Sequence, residues 1–139
     1  MAYSFEVAGQ VAAPPQEVFD AWMSSEGHSA MTGGEAHVDP HVGGRYDAWN
    51  DYIHGITVTL ETPHRVVQTW RSAHFGDDDE DSQIDVTFVA NDEGTLVTIR
   101  HANVPDGDLG YEDGGWQQNY LTPMKAYFDS DESTTRRRT

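Results

Sequence analysis

The chain has 139 residues, no cysteine, and 24 aspartates and glutamates against 8 lysines and arginines, for a formal net charge of −16. That size gives one domain, and that charge disfavours nucleic acid or an anionic membrane as partner: both call for clustered cations, and the basic cluster here is Arg136 to Arg138 in a polar tail. The missing cysteines exclude disulfides, thiol catalysis, thiolate metal sites and iron–sulfur clusters.

No run of about 18 apolar residues offers a membrane span. The start "MAYSFEVAGQ" lacks a signal peptide's basic-then-apolar layout, so a cytoplasmic address is expected. Lys125 is the one lysine. So acidic a surface fits an ordinary acidic protein or one adapted to concentrated salt, where a Debye length of about 3 Å at 1 M suppresses self-repulsion.

In chain order, "YSFEVAGQVAA" alternates Phe5 and Val7 against Ser4, Glu6 and Ala8, which predicts a strand. Pro14 and Pro15 stop it. Glu17 suits a helix N-terminus, and Val18, Phe19, Trp22 and Met23 form a helical stripe, so a helix spans about 15–24. "SSEGHSAMTGGE" holds a short helical turn ended by Gly33-Gly34. The next glycine pair, in "HVGGRYDAWN", has no helix after it to complete a phosphate cradle, so Gly43 and Gly44 read as a turn into a strand.

Strands are expected at about 35–39, 44–50, 52–62, 64–72, 82–90 and 94–103, with turn signals at Asn50-Asp51, Thr62-Pro63, Gly76-Asp77 and Asn91 to Gly94. From Tyr111 the period changes. Trp116, Tyr120, Met124 and Tyr127 are spaced four, four and three, predicting a long C-terminal helix that Pro123 kinks by displacing the carbonyl of Asn119 and that Gly114-Gly115 start irregularly. Residues 1–129 are then a single domain, and 130–139 hold no apolar side chain and are expected to be disordered. The fold class is α+β: an antiparallel meander with one face covered by the last helix. Parity puts Tyr46, Ala48, Val66, Gln68, Trp70, Ile84, Val86, Phe88, Val97, Ile99 and His101 on the covered face, with Trp116 and Tyr120 opposite.

The segments "APPQEVFDAWM", "VGGRYDAW", "IHGITVTLETPHRVVQTWR", "GTLVTIRH" and "GGWQQNYLTPMKAYF", in this order, resemble the START-like (SRPBCC) helix-grip superfamily that includes the birch pollen allergen. Within it the chain is similar to the family named after the C-terminal domain of the activator of the heat-shock protein 90 ATPase, over residues 5–128. The resemblance implies a curved antiparallel sheet gripping a long C-terminal helix, and an interior that binds hydrophobic molecules or, in some branches, catalyses cyclisation or dehydration. On that reading the ligand-binding residues are Tyr46, Ala48, Gln68, Trp70, His101, Trp116 and Tyr120.

Other chemistry is thin. His37 and His41 flank Asp39, with His54 and His101 on other strands, but the intervening Asp39-Pro40 breaks regular spacing and separate surface histidines are expected, not a metal site. "GDDDEDS" does not match a calcium loop and reads as a solvated hairpin end. No Gly-x-Ser-x-Gly elbow, phosphate loop, dinucleotide fingerprint or His-Glu-x-x-His is present, so no cofactor is expected. If chemistry occurs, His101 is the candidate base, Tyr46 or Tyr120 the donor to a carbonyl, and Gln68 the orienting group. Three functions stay open: a binding protein for a hydrophobic or amphipathic small molecule, an interaction module that regulates a chaperone, and a cyclase or hydrolase of the same fold.

Overall fold

The computed structural model describes residues 2–49, 52–73, 75–105 and 116–129. Strand β1 (Ala2–Val11) leads into helices α1 (Pro15–Trp22) and α2 (Ser25–Thr32), followed by β2 (Ala36–Val38), β3 (Arg45–Ala48), β4 (Ile53–Glu61), β5 (Arg65–Ser72), β6 (Ser82–Asn91) and β7 (Gly94–Pro105). A π-helical turn (Gln117–Leu121) then runs into α3 (Thr122–Asp129). The seven strands form one antiparallel sheet in the order β1-β7-β6-β5-β4-β3-β2. A meander needs no crossovers, and only β1 leaves sequence order, closing beside β7.

Local chemistry sets the boundaries. Pro14 is extended at the N-cap of α1, and Pro15 occupies the first helical turn, where its missing N–H costs nothing. Ser24 caps α2 by accepting from the Gly27 N–H at 2.9 Å. Gly33 ends that helix at φ 82°, a left-handed conformation that suits glycine. Gly43 and Gly44 form the expected turn: Gly43 has φ 86°, its N–H donates to the Thr57 carbonyl at 2.8 Å, and a side chain on Gly44 would strike Asp39.

At the rim of the sheet, β2 is finished by two hydroxyls of α2. Ser25 Oγ accepts from the Val38 N–H and Ser29 Oγ from the Ala36 N–H, both at 2.8 Å, and Ser29 Oγ also donates to the Ala36 carbonyl at 3.2 Å.

The core lies between one sheet face and the helices. All eleven residues assigned to that face by parity are buried, with Trp116 and Tyr120 buried against them. The C-terminal element departs from expectation, because α3 is a short helix of eight residues and not part of one long α-helix. Proline 123 cannot donate to the Asn119 carbonyl, and its ring would crowd it. The chain widens the preceding turn instead, so that the Thr122 N–H reaches back to the Gln117 carbonyl. A π turn winds less per residue, which carries the buried stripe through Trp116, Tyr120, Met124 and Phe128 and leaves Tyr127 half-buried. Gly114-Gly115, the Asn50-Asp51 turn and the tail from 130 lie outside the described residues.

Candidate functional site in the interior

Tyr120 sits at the centre of the interior. Its ring lies 5.1 Å from Trp22, 5.4 Å from His28, 5.2 Å from Trp49 and 5.0 Å from Trp116 between centroids. Trp70 packs tilted against Trp116 at 4.7 Å and meets His101 at 5.5 Å. Trp70, His101, Trp116 and Tyr120, all expected site residues, are thus joined by ring contacts through Trp70 and Trp116. Gln68 joins them through Trp22. Tyr46 and Ala48 share the buried face, but Tyr46 sends its hydroxyl to the Thr69 carbonyl of β5, passing β4 at Gly55, where there is no side chain to obstruct it.

Three neutral hydrogen-bond chains thread this cluster. An indole N–H can only donate, so Trp116 Nε1 donates to His101 Nδ1 at 3.1 Å. The His101 proton therefore sits on Nε2 and is given to Ser82 Oγ at 2.7 Å, and Ser82 in turn donates to the Trp70 carbonyl at 3.1 Å. A backbone carbonyl can only accept, so His28 Nδ1 donates to Trp22 O at 2.9 Å. His28 Nε2 then accepts from the Tyr120 hydroxyl at 2.8 Å. Trp22 Nε1 donates to Gln68 Oε1 at 3.0 Å, while Gln68 Nε2 donates to Thr57 Oγ1 at 3.1 Å.

Burial keeps these groups uncharged. Desolvation pushes His28 down to about 4 against the small opposing effect of its bond to the Trp22 carbonyl, pushes His101 down to about 3, and raises the Tyr120 phenol above its ordinary range. The Ser82–His101 contact has the spacing of a nucleophile and its base but the opposite proton order. His101 gives a proton to Ser82 and has none of its basic nitrogen to offer, since Trp116 occupies it. Gln68 and His101 both have neighbours as partners, and among the described residues no buried side-chain polar atom lacks one.

Trp49 forms a half-buried wall of this interior. Its backbone is held at φ 52°, a region that a bulky residue occupies only when its surroundings hold it there. Those surroundings are Tyr120 at its edge and Gly34 beneath the indole, where any β-carbon would collide with it. Sequence reading missed His28, Trp49 and Ser82 as members of the site. Trp22 was legible as an interior residue from its helical stripe, but a single histidine in a Ser/Gly-rich helix gives no periodic signal.

The other face of the sheet carries the charges. Arg65 grips Asp85 with two parallel bonds of 2.9 and 2.8 Å and reaches Glu61 at 3.0 Å. Arg100 pairs with Glu6 at 2.7 Å, and Arg45 with Asp47 at 3.1 Å. Exposed His37 lies between Asp47 at 3.0 Å and Glu35 at 3.2 Å, which raise its pKa, the Asp47 hydrogen bond most. His41 pairs separately with Asp39. The acidic run after Phe75 is gathered by Arg71, which donates to the carbonyls of Gly76 and Asp79 and to Asp81. Among the described residues no group of three histidines or carboxylates is placed to hold a metal, and no helix is long and apolar enough to cross a membrane.

An antiparallel sheet wrapped on helices around a polar-aromatic interior defines the helix-grip class of α+β folds. Within that class, the chain belongs to the family described as Activator of Hsp90 ATPase homolog 1-like protein, whose model matches residues 12–129. It is 26% identical over 115 residues to the Activator of 90 kDa heat shock protein ATPase homolog of Dictyostelium discoideum, a match covering 82% of this chain and 30% of that protein. The chain thus spans less than a third of that relative's length. Its fold is similar to that of an HSP90 activator from Plasmodium falciparum, with TM-score 0.77 and 26% identity over 88% of this chain and 94% of that one. It is similar as well to CalU16 of Micromonospora echinospora, with TM-score 0.74 and 20% identity over 99% of this chain and 83% of that one.

Proposed function

We propose that this chain is a binding protein that takes a small hydrophobic or amphipathic molecule between its sheet and its C-terminal helical segment, with Tyr120 as the central contact. The observation that carries this reading is the concentration of His28, Gln68, Ser82, His101, two indole N–H groups and a phenol in one aromatic interior. Stability does not require them, since apolar groups of the same shape can replace a buried hydrogen-bonded pair at little or no cost. In the structure these groups satisfy one another. A guest with an acceptor oxygen would compete with His28 for the Tyr120 proton, entering past Trp49, the half-buried side of the cluster.

The test is titration of tryptophan fluorescence with uncharged ring compounds bearing a ketone or hydroxyl. Saturable quenching is expected, and Tyr120→Phe, which keeps the ring and removes the donor, should weaken it about tenfold or more. Quenching that is indifferent to Tyr120→Phe moves the site elsewhere. No saturable binding across a broad panel overturns the reading.

A second reading is an interaction module acting on a 90 kDa heat-shock ATPase. It is favoured by the two HSP90-activator relatives at 26% identity and by the exposed apolar side chains of Val42, Ile56 and Val58, grouped where the Gly43 turn meets β4. Stimulation of such an ATPase, lost on Ile56→Asp/Val58→Asp, would support it. Unchanged ATPase rates would remove it.

A further inference from the structure

We infer that the guest of this interior is uncharged, and that anions and cations of the same shape are excluded; this rests on the interior being the binding site proposed above. Among the described residues, no Asp, Glu, Lys or Arg is buried, and the buried polar side chains are His28, Thr57, Gln68, Ser72, Ser82, Thr95 and His101. Neither histidine is placed to become a counter-ion. Protonating His101 Nδ1 would set its N–H against the Trp116 indole N–H, two donors facing each other. Protonating His28 Nε2 would turn the Tyr120 hydroxyl away from its one acceptor in the cluster. Burial opposes both protonations as well.

The approach offers an anion nothing either. Arg45, Arg65, Arg71 and Arg100 are each paired with a carboxylate away from the interior, and Lys125 is on the exposed side of α3. A carboxylate would have to shed its hydration with no buried lysine or arginine among the described residues to neutralise it, and cross a field set by a net charge of −16. A cation finds no buried carboxylate among the described residues, and the rings that could attract it are packed against one another. Tyr120 O–H, the two indole N–H groups and the Gln68 amide remain, and these suit a ketone, ether or alcohol.

The experiment compares three probes on one skeleton, 2-acetylnaphthalene, 2-naphthoate and 2-(aminomethyl)naphthalene, by isothermal titration calorimetry of the full chain at about pH 7.5, where the carboxylate and the ammonium are charged. The ketone should bind at least about a hundredfold tighter than either ion. The ratio should persist in about 2 M KCl, because salt screens the surface field and not the interior desolvation. It should also survive replacement of Arg136, Arg137 and Arg138 by serine. An ion that binds within about tenfold of the ketone, or a preference that collapses in salt, overturns the inference while leaving the binding site standing. If none of the three binds, the site and the inference fall together.

Discussion

The two faces of this sheet solve the problem of polar side chains in opposite ways. On the inner face, Gln68, His101 and their partners are neutral, fixed in one proton arrangement and shielded from water. On the outer face, Arg65, Arg100 and Arg45 are charged, paired with carboxylates and reached by solvent. Alternate residues on the same strands supply both sets, Gln68 beside Arg65 and Arg71 on β5 and His101 beside Arg100 on β7. Polar content is therefore a poor guide to energetic weight. Removing one partner of an uncharged bond in the interior leaves the other without water to replace it, whereas an ion pair outside can be replaced by water at little cost.

Acid should separate the faces most sharply. His28 and His101 are held at about 4 and about 3 in the folded protein, below the roughly 6.5 of an unfolded histidine. Between those values the unfolded chain binds more protons, so stability is complete above about pH 6.5 and falls as pH drops, by roughly 3 kcal/mol from each histidine by about pH 4. Urea denaturation from pH 7 to 4 checks this, and His28→Gln should flatten the fall. A pH-independent midpoint would mean that neither ring is buried neutral.

Trp116→Ala comes next, because it removes a buried indole and leaves His101 Nδ1 without its donor. A loss of about 3–5 kcal/mol is expected in the same assay. Gln68→Leu keeps the volume but strands the Trp22 N–H and the Thr57 hydroxyl, for about 1–3 kcal/mol. The smallest effect belongs outside. Arg65→Ala should move the midpoint less than any of the inner-face changes, and the difference should vanish in about 1 M KCl. An Arg65 effect as large as that of Gln68 would erase the contrast between the faces.

Much of this contrast was legible in the sequence. Period-two alternation on four strands identified the inner face, since a strand has just two sides and one of them must be apolar. The histidine at 101 falls on that side by count alone. The glycine pair before β3 was readable as a turn from the missing helix after it. What escaped has physical reasons. His28 comes from a helix whose residues are mostly small and polar, so its burial depends on the Trp22 carbonyl and Tyr120, 6 and 92 residues away. Pro123 announced a disturbance, but whether a helix kinks or widens into a π turn depends on which carbonyls its neighbours can satisfy, and sequence spacing does not hold that information.

Ser25 and Ser29 give the rim of the sheet a property that a charged rim would lack. An end strand is a template on which another chain can lay its own strand, and proteins commonly discourage this with charged side chains at the border. Repulsion of that kind fades as ions accumulate, its reach shrinking to about 3 Å in 1 M salt. A hydroxyl already seated on the amide of Ala36 or Val38 acts by occupancy instead. The border at β2 is closed to a newcomer by the same two bonds in dilute buffer and in brine, so growth of this sheet at that end is refused independently of the charge that dominates the rest of the surface.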